Sequence, residues 1–124
     1  MGARTTWEIK SNDQASIYLY SHWGGDSKVE DTENAIEKAR PRWNDPTYCA
    51  RMIISQLIGQ QWDEETGFGI EAGLPSSSPF EEQYAPCVID TSANTIQLGE
   101  WFGTFEEFLK ANLDIYRLTA EMAG

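Results

Sequence analysis

The chain has 124 residues, 40% of them hydrophobic and 12% aromatic, which suits a single domain over 1–124 with a modest core and is too apolar for a disordered chain. It carries 20 acidic against 9 scattered basic side chains, a net charge of −11. That disfavours direct contact with nucleic acid or an anionic membrane surface, because phosphate contacts need a positive patch. No apolar run approaches the ~18–20 residues of a membrane span and the first residues lack the apolar core of a signal peptide, so a cytoplasmic location is expected.

Thr5-Thr6-Trp7-Glu8-Ile9-Lys10 alternates β-branched and aromatic residues with polar ones and predicts a first strand; residues 11–14 are turn chemistry. Residues 15–23 predict a second strand, paired antiparallel with the first. Ile17, Leu19, Ser21 and Trp23 share one face of it, and Ser16, Tyr18, Tyr20 and His22 the other. Gly24-Gly25 ends it, since glycine allows the backbone to turn through positive φ. A polar loop follows, and Asp31 or Thr32 caps a short helix that stops near Arg40, ahead of Pro41. Residues 40–46 read as a connector, with Asp45 as N-cap and Pro46 as the first residue of a helix over 46–58. Tyr48, Cys49, Met52, Ile53, Ile54, Leu57 and Ile58 give that helix a broad apolar arc, and Gly59 stops it. Arg51 lies on its narrow polar edge and is expected to need a carboxylate partner.

Residues 66–70 read as a short strand interrupted by Gly67 and Gly69; interior glycines mark a bulge or a close backbone approach. Residues 73–79 form a loop. Residues 87–91 and 95–98 predict a second hairpin. Thr104-Phe105-Glu106-Glu107 is a capping box that opens a last helix running to about Glu121. Two stripes run along it: Phe105, Phe108, Leu109, Leu113 and Tyr116, then Ile115, Leu118 and Met122. Together they exceed what one sheet face covers, so a homodimer through this helix is expected. The order β-β-α-α-β-β-β-α predicts an α+β fold, an antiparallel sheet of about five strands with three helices.

Chemistry-bearing residues are few. Two isolated cysteines and one histidine make no zinc pattern, Asp63-Glu64-Glu65 lacks EF-hand spacing, and Gly67-Phe68-Gly69 lacks the ending of a phosphate loop. No metal or cofactor is expected. Cys49 and Cys87 read as buried thiols, with a disulfide left open. His22, the histidine of the chain, is the residue type suited to a general acid or base. Ser21 faces the other side of its strand, and Asp90 or Glu65 would orient the ring only if the fold brings them close. The plainer reading is a histidine hydrogen-bonded at a strand end. Trp23, Trp43, Trp62 and Phe68 offer flat surfaces for stacking, or fill the core. Arg42 and Arg51 suit a phosphate or carboxylate, or an acidic neighbour.

The run Tyr18-Leu19-Tyr20-Ser21-His22-Trp23-Gly24-Gly25 resembles the signature of a family of small uncharacterised phage and prophage proteins. Arg42-Trp43-Asn44-Asp45-Pro46 with Tyr48, Ala50, Arg51 and Ile53, then Glu65-Thr66-Gly67-Phe68-Gly69-Ile70, then Val88-Ile89-Asp90, are similar to further pieces of it. The resemblance spans most of residues 17–91 and leaves out the C-terminal helix. It implies a phage-type origin and a bacterial host, and little chemistry.

Two function classes follow. Lacking a triad, a phosphate loop or a metal cluster, the chain reads first as a non-enzymatic accessory protein. It would bind a host protein, a counter-defence inhibitor being one form, or sequester a small anionic ligand. The alternative is a small hydrolase or transferase using His22. The expected site gathers His22, Trp23, Gly24, Gly25, Arg42, Trp43, Arg51, Gly67, Phe68 and Gly69. The glycines admit a close approach to backbone donors, the aromatics form walls, and His22 with the arginines fixes an anion. In the plainer alternative the glycines serve turns and the aromatics fill a core. The acidity likewise reads as solubility or as mimicry of nucleic acid.

Overall fold

The computed structural model describes residues 2–123. The two alternating runs build β1 (Thr5–Lys10) and β2 (Ser16–Ser21), antiparallel from Thr5 opposite Ser21 to Lys10 opposite Ser16. β2 ends at Ser21, so His22 and Trp23 lie in the turn beyond it rather than in the strand. Trp7, Ile9 and Leu19 point to one side. There they join Val29, Ala35 and Ile36 of α1 (Lys28–Lys38) and Cys49, Ile53 and Leu57 of α2 (Pro46–Ile58) in one buried cluster. α2 fills its predicted range, with Asp45 accepting the Tyr48 N–H and Gly59 closing the end at φ 60°. α1 starts earlier than predicted, after Ser27 rather than at Asp31 or Thr32, because Lys28 and Val29 are both buried in its first turn. The buried stripe of α2 is narrow, Cys49, Ile53 and Leu57 spaced one turn apart. Arg51 is therefore exposed and bonds Ser55 at 3.3 Å, not the expected carboxylate.

β3 (Phe68–Gly73) pairs antiparallel with β2, β4 (Cys87–Asp90) pairs parallel with β1, and β5 (Thr95–Leu98) and β6 (Trp101–Thr104) continue antiparallel. The fold is α+β, with strands ordered β3-β2-β1-β4-β5-β6 in one mixed sheet. The antiparallel sheet of about five strands is corrected on two counts. β3 and β4 both run in the direction of β1, so the chain must return between them. Residues 74–86 make that return as an irregular strap across the face opposite the helices. The strap is held by hydrogen bonds rather than by burial, and the polar face of β1 and β2 supplies most of them. Glu8 accepts from the Ser16 hydroxyl at 2.6 Å and the Ser76 N–H at 3.1 Å. The Tyr18 hydroxyl donates to the Leu74 carbonyl and accepts from the Ser77 N–H at 2.9 Å. Glu82 accepts from the Thr5 hydroxyl at 2.7 Å and the Thr6 N–H at 2.9 Å, and pairs with the fully buried Lys28 at 3.2 Å. The second correction is β6, a strand packed between the Gly99 turn (φ 62°) and the capping box.

The capping box forms as predicted, the Thr104 hydroxyl accepting from the Glu107 N–H and the Glu107 carboxylate from the Thr104 N–H. The helix it opens, α3 (Phe105–Lys110), is short. Asn112 at φ 52° breaks it, and α4 (Ile115–Ala123) starts afresh, so four α-helices stand among the described residues where three were expected. The two apolar stripes thus divide between two helices. Phe105 and Phe108 enter the core, while Ile115 and Leu118 are buried and Leu118 packs by Gly99. Of the surplus apolar surface that motivated a homodimer, only Tyr116 and Met122 are exposed. Among the described residues no helix is long and apolar enough to cross a membrane.

Candidate functional site

The His22 N–H donates to the Gly67 carbonyl at 2.9 Å, and this bond brings the turn after β2 against the start of β3. The Trp23 ring then lies by Gly67 (φ 104°), where a Cβ would sit 3.2 Å from it. Gly24 donates its N–H to the Ser21 hydroxyl at 2.9 Å. Gly25 is buried under the Tyr84 ring, with its N–H on the Ala3 carbonyl, so it serves a close turn. His22, Trp23, Gly24, Gly67, Phe68 and Gly69 therefore converge as expected.

Arg42, Trp43 and Arg51 do not join them. Arg42 pairs with Asp45 at 3.7 Å and lies over the Tyr48 ring. Trp43 donates its indole N–H to the Ile36 carbonyl at 2.9 Å and packs on Phe105, which makes it a core residue. Both stand at the N-terminal end of α2, and the cleft is built by the C-terminal end. The 13 residues of α2 put about 20 Å between the two ends at ~1.5 Å per residue. Arg51 lies between them, on Ser55.

A cleft of about 410 Å³ opens beside Trp23, lined by Ser21, Gly24, Asp31, Leu57, Ile58, Gln60, Gln61 and Phe68. Through Ile58, Gln61 and Phe68 it continues into a second of about 220 Å³ that adds Trp62, Glu64, Gly69 and Ile70. Gly59 produces this arrangement. It ends α2, and the 3-10 turn Gly59–Asp63 that follows leaves Trp62 on the surface. Trp23, Trp62 and Ile70 are 55%, 63% and 64% exposed. Exposed apolar side chains occurring singly are ordinary, but a contiguous group at a concavity marks an interaction surface. Asp31 is the charged group of the larger cleft, held by the Ser27 hydroxyl at 2.8 Å; burial raises its carboxyl above the usual carboxylate range.

His22 lies off this surface chemically. Its Nδ1 is 2.9 Å from the Tyr20 hydroxyl, and its ring meets Trp23 edge-on. The Ser21 hydroxyl is occupied by the Gly24 N–H. Asp90 stands at the other end of the sheet, beside Lys10, and Glu65 makes no bond to the imidazole. Among the described residues no serine, threonine, cysteine or carboxylate side chain hydrogen-bonds the His22 ring, which meets the Tyr20 hydroxyl instead. Cys49 and Cys87 are free and buried, with burial pushing their thiols up to about 11 and about 12, so neither is a thiolate near neutrality. No cluster of three or more His, Cys, Asp or Glu side chains is placed to hold a metal among the described residues. A further concavity of about 650 Å³, between β6 and α4, is a groove of mixed charge where Arg117 faces Glu121 at 3.7 Å.

Leu57, Ile58, Trp62, Glu64 and Ile70 escaped the sequence reading of the site, although Trp62 was recognised as a candidate flat surface. One signal pointed there. Between Arg51 and Lys110 the chain has no lysine or arginine yet holds half of its 20 acidic residues. The basic residues are thus not scattered along the whole chain, and the strand and turn that line the second cleft fall in the acidic stretch. Comparison with protein-family models, with curated proteins and with solved structures gives no match.

Proposed function

We propose that the chain is a non-enzymatic accessory protein of phage type that occupies a host protein through the surface at β3. The supporting observation is the grouping of Trp23, Trp62 and Ile70, all exposed, around two connected clefts on a strand with one side unpaired. A chain that leaves such a surface bare risks aggregation, and a dedicated partner accounts for its retention. Sequestration of a small anion has less support, since the charged lining residues are Asp31 and Glu64 and both arginines lie elsewhere. Use of His22 as a general acid or base also has less, since its ring nitrogen meets only the Tyr20 hydroxyl. A homodimer through the C-terminal helix would rest on Tyr116 and Met122 alone. The phage-type resemblance supplies the setting, a bacterial cytoplasm and a host target such as a defence protein.

The test is photo-crosslinking in host cells. A benzophenone side chain in place of Trp62 is expected to give a discrete adduct with a host protein. The same group in place of Lys110, at the β6 end of the sheet, is expected to give none. No adduct at 62, or equal adducts at both positions, overturns the reading. An adduct that survives His22→Ala while the biological effect is lost would favour the acid/base alternative.

A further inference from the structure

We propose that the occupant of this surface is an extended basic segment of the partner protein, added to β3 as a further strand. The inference rests on the reading of the β3 edge as the binding surface and names the chemistry of what binds there.

Backbone phase comes first. In an antiparallel pair, residues alternate between exchanging hydrogen bonds with the neighbour and pointing them away. The His22–Gly67 bond sets that phase, so Gly69 and Glu71 face Tyr20 and Tyr18 in the ladder. The N–H and C=O groups of Phe68, Ile70 and Ala72 then point outward, where no strand lies among the described residues. They form a template of three donor–acceptor pairs.

Side chains favour the same occupant. On the helix side of β3, Phe68 and Ile70 border the clefts, and an incoming residue opposite Ile70 would rest against it and Trp62. Directly opposed side chains in a sheet lie about 5 Å apart. On the other face, a side chain at Gly69 would meet nothing within 4 Å. β3 carries none of the lysine or proline that blunts an edge.

Charge selects among partners. Asp31 and Glu64 line the clefts, Glu71 sits on the strand, and Asp63 and Glu65 are exposed beside Glu64. Lysine or arginine at the alternate positions of an incoming strand, on the face away from the helices, would meet Glu71, while the acidic groups on the helix side add a negative field around the edge. A second copy of β3 would instead bring its own Glu71 and its own acidic turn, Asp63-Glu64-Glu65, to the same edge, and like charge suppresses wrong partners. A basic segment therefore fits better than self-pairing.

The probe is a short peptide alternating lysine and valine, titrated into the whole protein and followed by amide NMR. The largest shifts are expected at Phe68, Ile70 and Ala72, and a peptide alternating glutamate and valine should produce none. Raising ionic strength from about 0.01 M to about 0.15 M shortens the screening length from ~30 Å to ~8 Å, and affinity should fall on the order of tenfold. Ile70→Pro removes an outward N–H without touching the β2 ladder, a position where an edge strand accepts proline, and it should abolish the shifts. Should that variant misfold, the exposed double change Glu64→Lys with Glu71→Lys gives the same decision by losing the basic peptide. Shifts centred elsewhere, an equal response to the acidic peptide, β3 shifts that grow with protein concentration alone, or basic-peptide binding that survives the charge reversal would each overturn strand addition. A Trp62 adduct in cells that persists in both variants keeps the binding surface and overturns only this inference; no adduct at all overturns the reading beneath it.

Discussion

The sheet ends differently on its two sides. At β6 the strand is four residues long and runs straight into the capping box of α3. Trp101 packs on Phe108 with ring centroids 5.9 Å apart, and Gly103 is buried with a Cβ position 2.7 Å from the Trp101 ring. Phe102 is the large side chain left exposed there. At β3 the strand is six residues long, Ile70, Glu71 and Ala72 are all exposed, and a side chain at Gly69 would touch nothing. Shortness and cover are two of the ordinary ways to protect an edge. The fold applies both at β6 and neither at β3. An open edge is therefore not what a small sheet of this composition must have.

The contrast has its largest expected effect in stability. Phe108, fully buried beneath Trp101, should cost ~3–5 kcal/mol when changed to Ala, through lost burial and a residual cavity. Ile70→Ala removes a side chain that is 64% exposed and should stay within about 0.5 kcal/mol of the parent. Denaturant unfolding of both variants measures this. A loss above ~1 kcal/mol for Ile70→Ala would show that β3 is held by its own apolar contacts, and the case for a surface kept for a partner would fail.

A smaller pair of effects separates the edges more finely. Gly103→Ala must displace the Trp101 ring or the Glu107 carboxylate, whose oxygen is 3.0 Å from the new Cβ, and Glu107 belongs to the capping box. Overpacking of this kind costs ~1–3 kcal/mol. Gly69→Thr meets no atom and replaces a poor strand former with a good one. It should leave stability unchanged or raise it, within the ~1 kcal/mol span of strand preference. If both changes destabilise equally in thermal unfolding, the two edges are equally packed and the contrast is wrong.

Legibility in the sequence follows the range of the interaction. α2 was readable because its start and stop are local, Asp45-Pro46 before it and Gly59 after it, and the capping box and the β4–β5 hairpin are local too. The parallel β1–β4 pair was not readable. It depends on the strap meeting Tyr18 on the polar face and, through its own Glu82, reaching Thr5 at the start of β1 and Lys28 of α1, contacts between residues 54 to 77 positions apart. β6 lacks alternation, since Trp101, Phe102 and Gly103 offer no polar partner residue, and its strand character comes from pairing with β5. The break at Asn112 hides inside a helical pattern, because asparagine enters the left-handed region without the glycine that would announce it. Within the site, the approach of Trp23 and Gly24 to Gly67, Phe68 and Gly69 was legible from glycines at two strand ends. The arginines misled because their partners are local ones: Arg42 meets Asp45 three residues on and Arg51 meets Ser55 four residues on.

The smallest expected effect concerns pH, where two carboxylates at the start of α1 shift in opposite directions. Asp26 accepts from the Tyr84 and Tyr116 hydroxyls at 2.6 Å and 2.8 Å, and so ties α4 to the loop before α1. Those bonds hold its carboxyl below its ordinary 3.8. A carboxyl lowered on folding stabilises above its unfolded value and loses that contribution as pH falls through the folded value. The tie should therefore persist until pH falls below the ordinary carboxylate range. Asp31, in the cleft by β3, is raised by burial and further by Glu30, against a lowering bond from Ser27. A carboxyl raised on folding binds its proton at higher pH than the unfolded chain does, so acidification there relieves a cost to the fold and removes charge from the cleft. As pH is lowered from 7, binding of a basic peptide should weaken first, with the fold and the Tyr116 environment unchanged, and α4 should loosen only later. Side-chain carboxyl titration by NMR, run beside the peptide titration, orders the two events. If Asp26 takes up its proton before Asp31, or if peptide affinity holds until Tyr116 moves, then Asp31 contributes nothing to the charge that a partner meets at the open edge.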